Sequence, residues 1–137
     1  MTSDSAGAVR WRSVLAAAPS GFAPPDSFRE VVLGGLPQIS PLIWLVEVDG
    51  LLEGWSSVLS EQYPGRRLVP FAKNSLTDDV FCWDIGERHD DPTVHMIHAF
   101  TDAGWEERGH WQDFDEWLSD ALSVHRRWDG RDDAFDA

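Results

Sequence analysis

The chain holds one cysteine, Cys82, among 137 residues. A single thiol cannot close an intramolecular disulfide. The usual staple of small secreted domains is therefore excluded, and a reducing, cytoplasmic setting is expected. Bases are also scarce, with 11 Lys and Arg against 24 Asp and Glu and a formal charge of −13. Nucleic-acid binding rests on Lys and Arg clusters that displace counterions from phosphates, so no nucleic-acid partner is expected. Long apolar runs are missing too. The longest, around 40–48, is interrupted by Pro41 and Glu47 and is too short to cross a bilayer. The first residues carry Asp4 and no apolar segment, so they do not read as a secretory signal, and no membrane partner is expected. The patterns GxGxxG, GxxxxGK, GxSxG and HExxH do not occur. No cofactor, catalytic residue or enzymatic activity is therefore expected.

What the chain does contain is apolar and aromatic. Hydrophobic residues make up 42% of it and eight are Trp, a content that disordered chains lack. The length suits one domain, expected over residues 1–128, with a short, acidic, mobile tail at 129–137. The charge is uneven. In residues 1–40 Asp4, Asp26 and Glu30 are cancelled by Arg10, Arg12 and Arg29, so the whole imbalance lies beyond residue 40. An electrostatically chosen partner should then be basic.

Periodicity predicts both helices and strands. Trp11, Val14, Leu15 and Ala18 form a helical stripe over 8–18, ended by Pro19 and Gly21. A second helix is expected from Asp26 or Ser27, with a Ser27/Glu30 capping box and closure at Gly34 and Gly35. The run from Ile39 to Val48 suits a strand, followed by a turn at Asp49 and Gly50. Residues 51–63 have helical spacing but carry Gly54 inside, which leaves that segment ambiguous. Residues 68–72, 80–85 and 93–100 read as an antiparallel meander in which Phe81, Trp83 and Ile85 form the core face. The clearest element is a helix from Asp113, where Asp113 and Glu116 have capping-box spacing and Phe114, Trp117, Leu118, Ala121, Leu122 and His125 follow the helical period. Asp115 and Arg126 with Arg127 suit its two ends.

Several clusters invite chemistry. Asp78, Asp79, Asp84, Asp90 and Asp91 could supply an acid and a base, but in a chain with 24 acids the reading as solvated turn and rim charges is stronger. His89, Asp91, His95 and His98 lie within ten residues, which raises a metal site. On a strand, however, His95 and His98 face opposite sides and cannot share an ion without a bulge, so no metal is expected. Cys82 sits among Val80, Phe81, Trp83 and Ile85, where packing is a better reading than nucleophilic attack. Trp55, Trp105 and Trp111 are either core rings or exposed anchors. Trp105 is the best anchor candidate, because it follows Asp102 and Gly104 and is flanked by Glu106 and Glu107.

The stretch LVPFAKNSLTDDVFCWDI (68–85) resembles the SUKH superfamily, in which a strand ending in a "PF"-like pair leads through an acidic turn into a "cfD" strand. DPTVHMIHAF resembles that family's next strand, and DFDEWLSDAL (113–122) resembles its closing helix. Three departures are visible: NSLTDD stands where many relatives have a glycine-rich turn, Asp113 stands where Ser is usual, and the helices before Leu42 match only loosely. The resemblance implies a single α+β domain with an antiparallel sheet flanked by N-terminal and C-terminal helices. It also implies a bacterial immunity protein that binds and neutralises a toxin of a contact-dependent or polymorphic system.

Charge and aromatics suit that function, with a basic nuclease-type toxin domain as partner and steric and electrostatic blocking as the mechanism. Asp78, Asp79, Asp84, Asp90, Asp91, Trp105, Glu106 and Glu107 are the expected contacts, the carboxylates standing where phosphates would bind. A scaffold module of the same fold without a toxin partner is the alternative, and a small hydrolase using the Asp and His group is a third. Exposed Trp would suit either a monomer or a homodimer.

Overall fold

The computed structural model describes residues 5–86 and 90–128. The expected tail at 129–137 lies outside them. Ser5 accepts a hydrogen bond from the Ala8 N–H and so starts α1 (Ala6–Ala17). Of its expected stripe, Val14 is buried and Leu15 is 47% exposed. Helix α1 is held by Val14 in the core, by Trp11 and Ala17 packed against it, and by Gly7, which lies against the backbone of Leu33. Helix α2 (Asp26–Gly34) begins after Pro25 with no side-chain cap, so Ser27 and Glu30 do not form a box, and it ends on left-handed Gly35. Leu36 follows, also at positive φ, and is buried.

The strand expected from Ile39 to Val48 is shorter, β1 (Leu42–Trp44), because the chain turns into one 3₁₀ turn at Leu45–Glu47. Gly50 at φ 80 then starts α3 (Leu51–Gln62), which settles the ambiguous segment as a helix. Strands β2 (Leu68–Asn74), β3 (Asp79–Asp84) and β4 (Val94–His98) form the meander. A further strand absent from the sequence reading, β5 (Glu107–Trp111), extends it, so the sheet runs β1-β2-β3-β4-β5 with every neighbour antiparallel. Helix α4 (Phe114–Arg127) closes the chain, with the Asp113 carboxylate accepting from the Glu116 N–H. Glu116 in turn accepts from the Gln112 N–H, one residue earlier than a reciprocal box requires.

The sheet is covered on both faces, whereas the sequence reading assigned the core to one. On the first, Phe28, Trp44, Phe71, Phe81, Trp83, Phe114 and Trp117 pack as an aromatic core between the sheet and α2 and α4. Their rings meet mostly edge to face or tilted: Phe28 stands over Trp83 at 5.0 Å, and Phe71 is perpendicular to Trp117 at 4.8 Å. On the second face Val80, Cys82, Ile97 and Ala99 lie under Leu59 and Tyr63 from the end of α3. Trp111 is core too, its indole N–H donating to Asp120 of α4 at 2.7 Å. The described residues thus form one α+β domain with helices flanking an antiparallel sheet. Among them no helix is long and apolar enough to cross a membrane.

Candidate functional site

Antiparallel pairing sorts the expected contact residues to different places. Asp79 pairs with His98 across β3 and β4, so the β2–β3 turn and the β4–β5 loop lie at one end of the sheet. The β3–β4 loop, with Asp90 and Asp91, lies at the other end. There Asp90 and Asp91 join Asp26 and Asp115 around a groove of about 430 Å³ beside Pro24 and Pro25. The eight residues therefore do not form one continuous acidic face.

Three of them meet on an arginine that the sequence reading passed over. Arg66 lies in the turn between α3 and β2. Its Nε and Nη2 reach Asp84 at 3.2 Å, Nη1 reaches Glu106 at 3.0 Å and Nη2 reaches Glu107 at 3.1 Å. Asp84 and Glu106 are buried. They are therefore internal ion-pair partners, a correction to their expected role as surface contacts. Asp84 also accepts from the Gly86 N–H, and Glu106 accepts from the Gly104 N–H at 2.7 Å.

The cluster sets its own protonation. Burial works against ionised Glu106, but hydrogen bonds from its own N–H, from Arg66 and from the Gly104 N–H outweigh it and hold the carboxyl below its ordinary range. Burial opposes ionised Glu107 likewise, and His95 and Arg66 outweigh it. Burial also disfavours the Arg66 cation, yet the same carboxylates raise its pKa further. Cys82 lies under this cluster, and burial pushes its thiol well above the ordinary value, as a packing cysteine requires.

The histidines are held apart. The Nδ1 of His95 meets both oxygens of Glu107 at 3.0 and 3.1 Å, whereas that of His98 meets Asp79 at 2.7 Å on the opposite face of the sheet. His89 lies outside the described residues. Among those described, no three His, Cys, Asp or Glu side chains converge as a metal site would require.

At the β4–β5 end the loop is tied down and its aromatic rings are exposed. The Trp105 N–H closes a turn on the Asp102 carbonyl at 3.0 Å, Gly104 takes φ 101, and the His98 N–H donates to the Glu106 carbonyl at 2.8 Å. Trp105 itself is 73% exposed. The Tyr63 hydroxyl donates to the Thr101 carbonyl at 2.8 Å and accepts from the Thr101 N–H, fixing the far side of the loop. Asp78, in the adjacent turn, is exposed, and its carbonyl accepts from the Ala99 N–H. Asp79 is half-buried and bridges Thr77 and His98.

The arrangement offers a braced acidic loop end carrying an exposed indole, and a buried ion network beneath it. Comparison with family models, curated proteins and solved structures found no match.

Proposed function

We propose that the protein is an immunity protein of the SUKH type, which binds a cognate bacterial toxin and neutralises it by occlusion without a chemical step. One observation carries this reading: Trp105 is the most exposed large apolar side chain among the described residues, yet the turn that presents it is anchored through Glu106 to Arg66. An indole set out in water on an anchored turn gains little for folding, and its backbone loses little entropy on binding, which is the property of a binding anchor. The acidic excess supplies encounter steering toward a basic toxin domain of the nuclease type, and mass action in the cytoplasm completes the neutralisation.

The test is a pull-down from the host's lysate with the protein as bait, washed through a salt series and followed by co-expression of what is recovered. Recovery of a basic toxin domain that is released as salt rises, and whose toxicity co-expression abolishes, is the expected result. Recovery only of metabolic or signalling proteins, while a toxin is demonstrably expressed, would transfer the protein to the scaffold class.

A further inference from the structure

Phe100 adopts φ 64, a left-handed conformation that costs a bulky residue about 1 kcal/mol or more and that glycine adopts freely. The fold does not recover this by burying the ring, which is 63% exposed. The residue is nevertheless fixed. Its N–H donates to Gln62 at 2.7 Å, and its ring rests on Trp55 at 6.0 Å, which packs against the core and carries the Lys73 ammonium over its own ring at 5.4 Å. Strain kept for an exposed, immobilised aromatic is the pattern of a functional surface.

Phe100 opens the same loop that Trp105 closes, and the Ala99 N–H bonded to the Asp78 carbonyl joins that loop to the turn bearing Leu76, itself 51% exposed. Three large apolar side chains thus stand exposed at one end of the sheet. The charges beside them are Asp78, Asp79, Asp102 and Glu107, with Arg108 as the exposed base, Arg66 and His95 bonded to Glu107, His98 bonded to Asp79, and Lys73 withdrawn among the Asn74 and Thr77 carbonyls. The balance is acidic, so a second copy of this chain would bring like charge against like. The groove at the other end of the sheet is lined by Ala23, Pro24, Pro25 and Ser27 beside Asp26, Asp90, Asp91 and Asp115, and none of the large exposed apolar side chains lines it.

We infer that the end formed by the β2–β3 turn and the β4–β5 loop is the docking face, and that it takes a basic protein domain. That domain would have an apolar cleft that receives Phe100 and Trp105 and a rim of Lys and Arg that meets Asp78, Asp102 and Glu107. The inference rests on the binding reading above and narrows it to one surface and one partner chemistry. It leaves Asp90 and Asp91 outside the contact.

A photoreactive phenylalanine analogue placed at Leu76, at Ala103 or at Asp90, in the full chain inside the host cell, tests this by mass spectrometry of the adducts. The expected result is one basic domain captured from both 76 and 103 and not from 90. Its yield should fall at least tenfold on Trp105→Ala and on Phe100→Gly. The glycine variant relieves the left-handed strain, so an unchanged or raised unfolding midpoint will separate lost contact from lost fold. No adduct from 76 and 103, an adduct with a second copy or with an acidic protein, or equal capture from 90 overturns the docking face. A toxin reached only from 90 would keep the immunity reading and sink this surface, whereas a basic partner without toxicity would keep the surface and sink the immunity reading.

Discussion

Trp105 and Glu106 are neighbours in the chain with opposite environments: the indole is 73% exposed, while Glu106 is 7% exposed and bonded to Arg66. One residue faces outward and the next anchors the turn. The same loop therefore carries an exposed ring and a stabilising anchor, which substitution can separate.

Replacing Trp105 by Ala removes an exposed ring and leaves the Arg66 cluster intact. The unfolding free energy should change by no more than about 0.5 kcal/mol, as for other surface substitutions. Partner affinity should fall by about 2 kcal/mol, roughly 30-fold, which is the loss typical of an aromatic anchor. Urea unfolding alongside calorimetric titration with the recovered partner reads both. Equal losses in the two would mean that the indole serves the fold.

Arg66→Ala should do the reverse. It strands Asp84 and Glu106 without their cation, and breaking a largely buried pair on one side costs about 2 kcal/mol or more. Arg66→Lys should recover only part of this, since one ammonium cannot reproduce a guanidinium that reaches Asp84, Glu106 and Glu107 together. The measurement is the urea midpoint of both variants, and full recovery by Lys would show that only charge matters there.

The pH dependence follows from Glu106. Its folded pKa lies below its unfolded value, so ionised Glu106 stabilises the fold at pH above the unfolded carboxylate pKa of about 4.3. That contribution declines as pH falls through the lower, folded value. Glu106→Gln lacks it. The stability difference between the natural chain and Glu106→Gln should be full above about pH 5 and shrink below about pH 4. Unfolding at a series of pH values checks this, and a difference that stays constant down to pH 3 would contradict it.

The sequence made the regular elements legible and the site only in part. α4 could be read because its cap, its period and its terminal charges agree locally, and β2 to β4 because turn residues punctuate apolar runs. β5 could not, since Glu107–Trp111 is an edge strand with Trp111 as its sole buried residue, and it carries Gly109 and no alternating pattern. β1 was overread because the apolar run from Ile39 to Val48 continues past the strand into a buried 3₁₀ turn at Leu45. The exposure of Trp105 is legible in its turn residues and flanking acids. The role of Arg66 is not, because its partners lie 18, 40 and 41 residues away and no local spacing encodes them.

Two glycines in helices should respond to alanine with opposite signs. A Cβ on Gly7 would come 2.3 Å from the Leu33 carbonyl oxygen, with the Leu33 Cα and carbonyl carbon at 2.9 Å. These are backbone atoms of α2 and cannot swing aside, so α1 must move, and overpacking of this kind costs about 1–3 kcal/mol. A Cβ on Gly54, inside α3, meets nothing within 4 Å. Gly54→Ala should therefore stabilise by about 0.5–1 kcal/mol through the lower backbone entropy of the unfolded chain. Thermal unfolding of the two variants beside the natural chain decides it. If Gly7→Ala matched the natural midpoint, α1 would not be docked on α2 through that contact.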